Sequence, residues 1–158
     1  MNSMHLSVAS SASPRSARHG ARSVRIAAVV AAVMLVGIGV FQVLLALGAP
    51  WGSAAYGGGA SGPDGVLPSG LRVASAVAAV ILGVAAWVIL VRADLVPRGP
   101  LSARLVHRAA WVITAFMVLN TLSNLSSSSP VERWLLGGST VALVFLCGYV
   151  ALRAPAQD

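Results

Sequence analysis

Lysine is missing from this 158-residue chain, so its formal charge of +7 is carried by arginine alone. Charged residues of both signs make up only 9% of the sequence, too few to cover a water-soluble domain of this length. There is one cysteine, Cys147. That excludes an intrachain disulfide and the CxxC pair of membrane redox enzymes, and inside an apolar run the thiol reads as a small buried hydrophobe. The histidines His5, His19 and His107 are never at metal-ligand spacing. The glycine run 57–59 lacks the strand, helix and lysine context of a phosphate-binding loop. Serines are plentiful, but no histidine falls where it could serve as base to a serine on the outer side.

Apolar residues supply 57% of the chain, and its mean hydropathy is +0.83. They are gathered into four runs, 26–47, 73–91, 109–126 and 134–152. About 20 residues of helix cross the roughly 30 Å hydrocarbon layer. Inside that layer backbone groups find no water, so a span must be a helix or part of a closed barrel. These runs are continuous and do not alternate, which points to helices. The expected fold is all-α: a four-transmembrane-helix antiparallel bundle over 24–153, built as two hairpins, between a disordered basic tail over 1–23 and a short tail over 154–158. The first run is preceded by Arg15, Arg18, Arg22 and Arg25, as a signal peptide would be. It is longer than the roughly 7–15 residues of a signal core, and the reading is an uncleaved span.

Orientation follows from the arginines. Four precede the first run, Arg92, Arg98, Arg104 and Arg108 surround the middle connection, and Arg153 follows the last. Only Arg72 and Arg133 fall on the opposite side. The positive-inside rule places both termini and the middle connection in the cytoplasm of a plasma membrane, with loops 48–70 and 126–130 outside. Arginine flanking apolar runs also argues for an anionic bilayer surface as partner and against nucleic acid.

No Asp, Glu or Arg lies in the middle of any run, whereas ion-coupled carriers usually keep an ionisable group there. The small multidrug exporters use a carboxylate in the first of four helices, and this first run has none. Polar groups gather at the outer ends instead. The candidate patch is Gln42, Trp51, Arg72, Asn120, Asn124, Glu132 and Arg133, with Ser75 and Ser123 beside it. Asn120 and Asn124 are four apart and share a helix face. Functionally this would be a shallow polar pocket under a Gly-rich loop, with Arg72 or Arg133 offered to an anionic head group. Structurally, the same amides and hydroxyls would join helices, and the arginines would snorkel or form surface pairs. Ser75, Ala79 and Gly83, spaced four apart, form a small-residue stripe suited to close helix approach. Pro130 followed by Val131-Glu132-Arg133 reads as a helix start with an acid in its first turn. A faint internal echo pairs Phe41-x-Val43-Leu44 with Phe116-x-Val118-Leu119.

Phe41-Gln42, Gly48-Ala49-Pro50-Trp51-Gly52, Ala55, Gly57-Gly58, Leu67-Pro68 and Leu71-Arg72 resemble a family of small four-helix integral membrane proteins of actinobacteria and other bacteria. Asn120, Ser123 and Glu132-Arg133-Trp134 are similar to a second patch in that family. The resemblance covers most of 26–152, and its specific part is the GAPWG…GG…LP…LR pattern. It carries no activity across; it implies that the outer patch is the distinctive part of the chain. Between Gly59 and Leu67 this loop is longer and more Gly-rich than the family pattern. The abundance of Ala, Arg, Gly and Val without Lys is likewise similar to proteins of GC-rich bacteria.

The sequence is therefore read as a non-enzymatic accessory or ligand- or partner-binding membrane protein. Its partners would be the lipid bilayer and another membrane protein or a second copy of itself. No catalytic residue, metal or cofactor is implied. The alternative is a membrane enzyme or transporter-like subunit acting on a lipid-like or small substrate at the same patch.

Overall fold

A computed structural model describes residues 14–154, with side chains from Arg18 onward. Helices α1 (Pro14–Leu47), α2 (Ser69–Arg92), α3 (Ala103–Leu125) and α4 (Gly137–Arg153) make up the body. A short 3₁₀ turn, Gly52–Ala54, sits in the first loop, and a π-helical segment, Val131–Leu136, leads into α4. No strand occurs among the described residues. Four helical stretches are long and apolar enough to cross a membrane: Arg18–Leu47, Ser69–Arg92, Ala103–Leu125 and Val131–Arg153. The chain is an all-helical, multi-pass membrane protein.

Three helices start earlier than hydropathy suggests. The tail expected to be disordered over 1–23 is helical from Pro14, while 1–13 lie outside the described residues. Proline suits a first helical position, because its missing N–H would find no partner there. Beyond it, Ala21 and arginines at 18, 22 and 25 are good helix formers, and extending an existing helix is far easier than nucleating one. At 34 residues α1 is about 51 Å long, so its arginine-bearing end projects well past a roughly 30 Å core. Helix α2 begins at Ser69, which puts Arg72 in its first turn. Helix α3 begins at Ala103, with Ser102 as N-cap: its Oγ accepts the Leu105 N–H at 3.2 Å. That cap carries the helix six residues upstream of 109, through Arg104, His107 and Arg108.

Helix α1 packs chiefly on α2 and α3 on α4, and contacts between α1 and α4 join the two hairpins. Their seam is lined with small side chains. Ala28, Ala31 and Leu35 of α1 are fully buried with Ala85 and Ile89 of α2 and Leu143, Cys147 and Val150 of α4. Alanine at i, i+3 and i+4 spacing lets the backbones close in, as helices in lipid require. The outward faces carry Val33, Val80, Val112 and Phe145, each about two-thirds exposed or more, as suits side chains meeting lipid tails.

The expected Ser75–Ala79–Gly83 stripe is only half a contact. Ser75 is buried, but a Cβ built on Gly83 would meet nothing within 4 Å. The close approach comes from the other helix: a Cβ built on Gly39 of α1 would lie 3.7 Å from the Leu82 Cβ and 3.9 Å from the Ala79 carbonyl oxygen. On α4, Gly137 and Gly148 face Leu125 and Thr114 of α3, and Gly138 faces open space.

Candidate functional site

Loop 48–68 is folded, despite its glycines. Helix α1 ends in a Schellman arrangement: Gly48 (φ +96°) donates to Leu45 O at 3.1 Å and Ala49 to Leu44 O at 2.9 Å. The chain then crosses the bundle end and returns, pinned by Gly52 N–H to Gly65 O at 2.9 Å. Beneath it, Ala55 and Leu67 bury a small apolar cluster with Leu45, flanked by Phe41 and Leu71.

Tyr56, Gly57 and Gly58 all have positive φ, at 52°, 83° and 79°. Left-handed backbone is strained for tyrosine and easy for glycine. The run turns the chain toward the start of the π-helical segment, and there the first and third loops are sewn together. Gly57 N–H donates to Glu132 Oε2 at 2.8 Å, and the Ser127 hydroxyl donates to the same oxygen. Gly57 O accepts the Ser128 hydroxyl at 2.7 Å, and Ser53 O accepts the Ser129 hydroxyl at 3.1 Å. Tyr56 reaches the other way, its hydroxyl 2.9 Å from the fully buried Ser75 Oγ. Glu132 is buried, and no basic side chain pairs with it among the described residues.

A cavity of about 270 Å³ opens beneath this latch, between the ends of all four helices nearest loop 48–68. Toward the loops its wall is polar: Gln42, Tyr56, Asn120, Ser123, Asn124, Ser127 and Glu132. Its floor, further along the helices, is mainly apolar, with Ile38, Leu82, Phe116 and Met117, and Thr140 lies at that depth on α4. The Gln42 Oε1 is enclosed without a hydrogen-bond partner. Such a carbonyl costs about 1–3 kcal/mol when left unmet.

Of the seven residues of the sequence-derived patch, Gln42, Asn120, Asn124 and Glu132 line this cavity, and Trp51, Arg72 and Arg133 do not. Trp51 stacks on Phe41, centroids 6.4 Å apart and planes 4° from parallel. Arg72 donates from Nε to Ala46 O at 2.9 Å, meeting a terminal carbonyl of α1, with its guanidinium packed over Gly48. Arg133 donates from Nε and Nη2 to Ser127 O at 3.1 and 2.7 Å. Both guanidiniums thus serve the backbone, as cations at helix C-termini do. Neither guanidinium lines the cavity, and among the described residues that do line it there is no Arg, Lys or His.

Tyr56, Ser127 and Thr140 line the cavity but were absent from the expected patch. Tyr56 reads as an interfacial aromatic, and Ser127 is one of four consecutive serines. Thr140 follows Glu132 by about two helical turns, a same-face spacing the sequence does display. Among the described residues no group of His, Cys, Asp and Glu is placed to hold a metal.

Comparison with protein-family models, curated proteins and solved structures finds no match to this chain. Fold and geometry define its class: a four-helix multi-pass membrane protein with a half-polar, half-apolar cavity at one end of the bundle.

Proposed function

We propose that the protein is a plasma-membrane binding protein, without catalytic activity of its own, that holds a small ligand in the cavity under loop 48–68. The observation that carries this reading is the cavity itself. Its volume, about 270 Å³, is several times the roughly 30 Å³ that a water molecule occupies in the liquid. One end offers amides, hydroxyls and a carboxylate, and the other is mainly hydrocarbon beside Thr140, a division that suits an amphiphile. The enclosed Gln42 carbonyl lacks a donor that a ligand could supply. The arginine distribution supports an orientation with this end outside the cytoplasm and both termini within it. The likeness of the 41–72 pattern to small actinobacterial membrane proteins points to the same end of the molecule.

Native mass spectrometry of the protein purified in a mild detergent tests the reading. Ala78 lines the cavity, and Ala78→Phe would fill part of it. A small-molecule adduct on the wild-type protein that is lost from folded Ala78→Phe is the expected result. Identical spectra for the two proteins would contradict it.

A further inference from the structure

The chemistry of the cavity wall also selects the ligand's charge. We propose that the site takes an organic cation: an ammonium group held at the polar end, with its apolar part on the floor between the helices. This inference rests on the binding reading above. Its first support is the electrostatics of the lining, which among the described residues contains one carboxylate, Glu132, and no basic side chain. The nearest arginines in sequence, Arg72 and Arg133, are committed to the carbonyls of Ala46 and Ser127. The Glu132 partners are a backbone N–H and a hydroxyl, both neutral, so no cation of the described residues is in direct contact with this buried carboxylate. A carboxylate in low dielectric is strongly stabilised by a cation brought alongside it.

An aromatic ring adds a second support. Tyr56 lines the same cavity at its polar end, next to Gly57 of the latch. Ring faces attract ammonium groups, most strongly where water is excluded, and they do nothing comparable for anions. The amide oxygens of Gln42, Asn120 and Asn124 can accept from an N–H of a primary amine. The apolar floor, with Leu82 and Met117, suits a short alkyl or aryl tail.

The test uses the full-length protein in maltoside micelles and three probes of equal tail length: hexylammonium, hexyl sulfate and hexanol. Titration calorimetry is read against empty micelles. Saturable binding of the ammonium probe alone is the expected result, weakened by about tenfold or more in Glu132→Gln, as loss of a charged partner implies. Because Glu132 also holds the first and third loops together, Gln42→Glu is the second variant. It adds a carboxylate at a side chain whose carbonyl has no partner, and it should tighten ammonium binding several-fold. Tight binding of hexyl sulfate or hexanol, abolished by Ala78→Phe, would overturn the cation assignment and leave the binding reading standing. Saturable binding of none of the three would overturn both. Unchanged ammonium affinity in both charge variants would also sink the assignment. Competition separates the two sources of the group: displacement by ethanolamine marks a soluble amine, and displacement only by phosphatidylethanolamine in mixed micelles marks a lipid head group.

Discussion

The Glu132 carboxylate accepts a hydrogen bond from the backbone N–H of Gly57, 75 residues earlier in the chain and 2.8 Å away. This contact joins the two hairpins at the end that carries loop 48–68, since Gly57 belongs to the α1–α2 loop and Glu132 to the segment that opens α4. It also forms the roof of the cavity, because both residues line it. Replacing Glu132 by Ala would leave the Gly57 N–H and the Ser127 hydroxyl without their acceptor. The expected loss is about 2–3 kcal/mol, at the rate typical of buried unsatisfied groups. Glu132→Gln keeps one acceptor oxygen and should lose roughly half as much. Thermal unfolding in detergent measures the difference, and amide exchange should rise locally at 56–58. An Ala variant as stable as wild type would show that the latch contributes nothing.

The glycines of the first loop divide into two kinds. At Gly52 an added Cβ would fall 2.8 Å from both Gly65 O and Ser61 Cβ. At Gly65 it would fall 2.8 Å from Pro50 O, on a backbone with φ of +76°. At Gly59 it would meet nothing within 4 Å. Gly52→Ala and Gly65→Ala are therefore expected to destabilise by about 1–3 kcal/mol through overpacking, with a further ~1 kcal/mol at Gly65 for the left-handed conformation. Gly59→Ala should be neutral within about 0.5 kcal/mol, as a surface change away from packed features. Unfolding midpoints for the three variants, measured side by side, check the contrast; equal behaviour at Gly52 and Gly59 would contradict the folded loop.

The helices were legible because uncharged length is a direct physical requirement of a span, and four runs displayed it. Their starts were less so. Hydropathy marks where the lipid-facing segment begins, whereas Pro14 and the Ser102 cap govern where the backbone becomes helical. Gln42, Asn120, Asn124 and Glu132 stood out as polar groups at apolar ends, and they share the cavity. Arg72 and Arg133 stood out for the same reason and do not. Sequence shows that an arginine lies near a helix end but not which carbonyl it will satisfy. Loop folding was hidden too, because the bond from Gly52 to Gly65 depends on a return path that glycine-rich composition does not specify.

A pair of arginines on α2 ties helix ends at opposite faces of the bundle. Arg72 donates to Ala46 O near the end of α1, and the buried Arg92 donates from Nη2 to Ala154 O at 2.7 Å and Ala151 O at 3.3 Å at the end of α4. Charged donors to carbonyls contribute about 1.5–3 kcal/mol each when well enclosed. Arg92→Ala should therefore lower stability by about 2–3 kcal/mol, and the half-buried Arg72→Ala by about 1 kcal/mol. The two arginines are 20 residues apart on α2, about 30 Å along the helix, so the double variant should equal the sum within about 0.5 kcal/mol. Unfolding measurements on the three proteins decide this, and strong non-additivity would mean that α2 transmits strain from one end to the other.

Orientation in the membrane is open to a direct chemical test, and the structure supplies both reporter positions. Cys147 is fully buried, so an impermeant maleimide should find little background in the wild-type protein. Gly59, in the first loop, and Gly20, on the arginine-bearing end of α1, are exposed and have room for a side chain. Gly58 would be a poor choice, since its φ is +79° and its Cβ would press on Ser129 at 3.1 Å. The arginine asymmetry predicts that Gly59→Cys is labelled in intact cells and Gly20→Cys only after the membrane is opened. The reverse pattern would place the cavity on the cytoplasmic side, where any ligand would have to come from the cell interior or the inner leaflet. It would leave the carboxylate and aromatic chemistry of the cavity unchanged, so orientation and ligand charge can be tested separately.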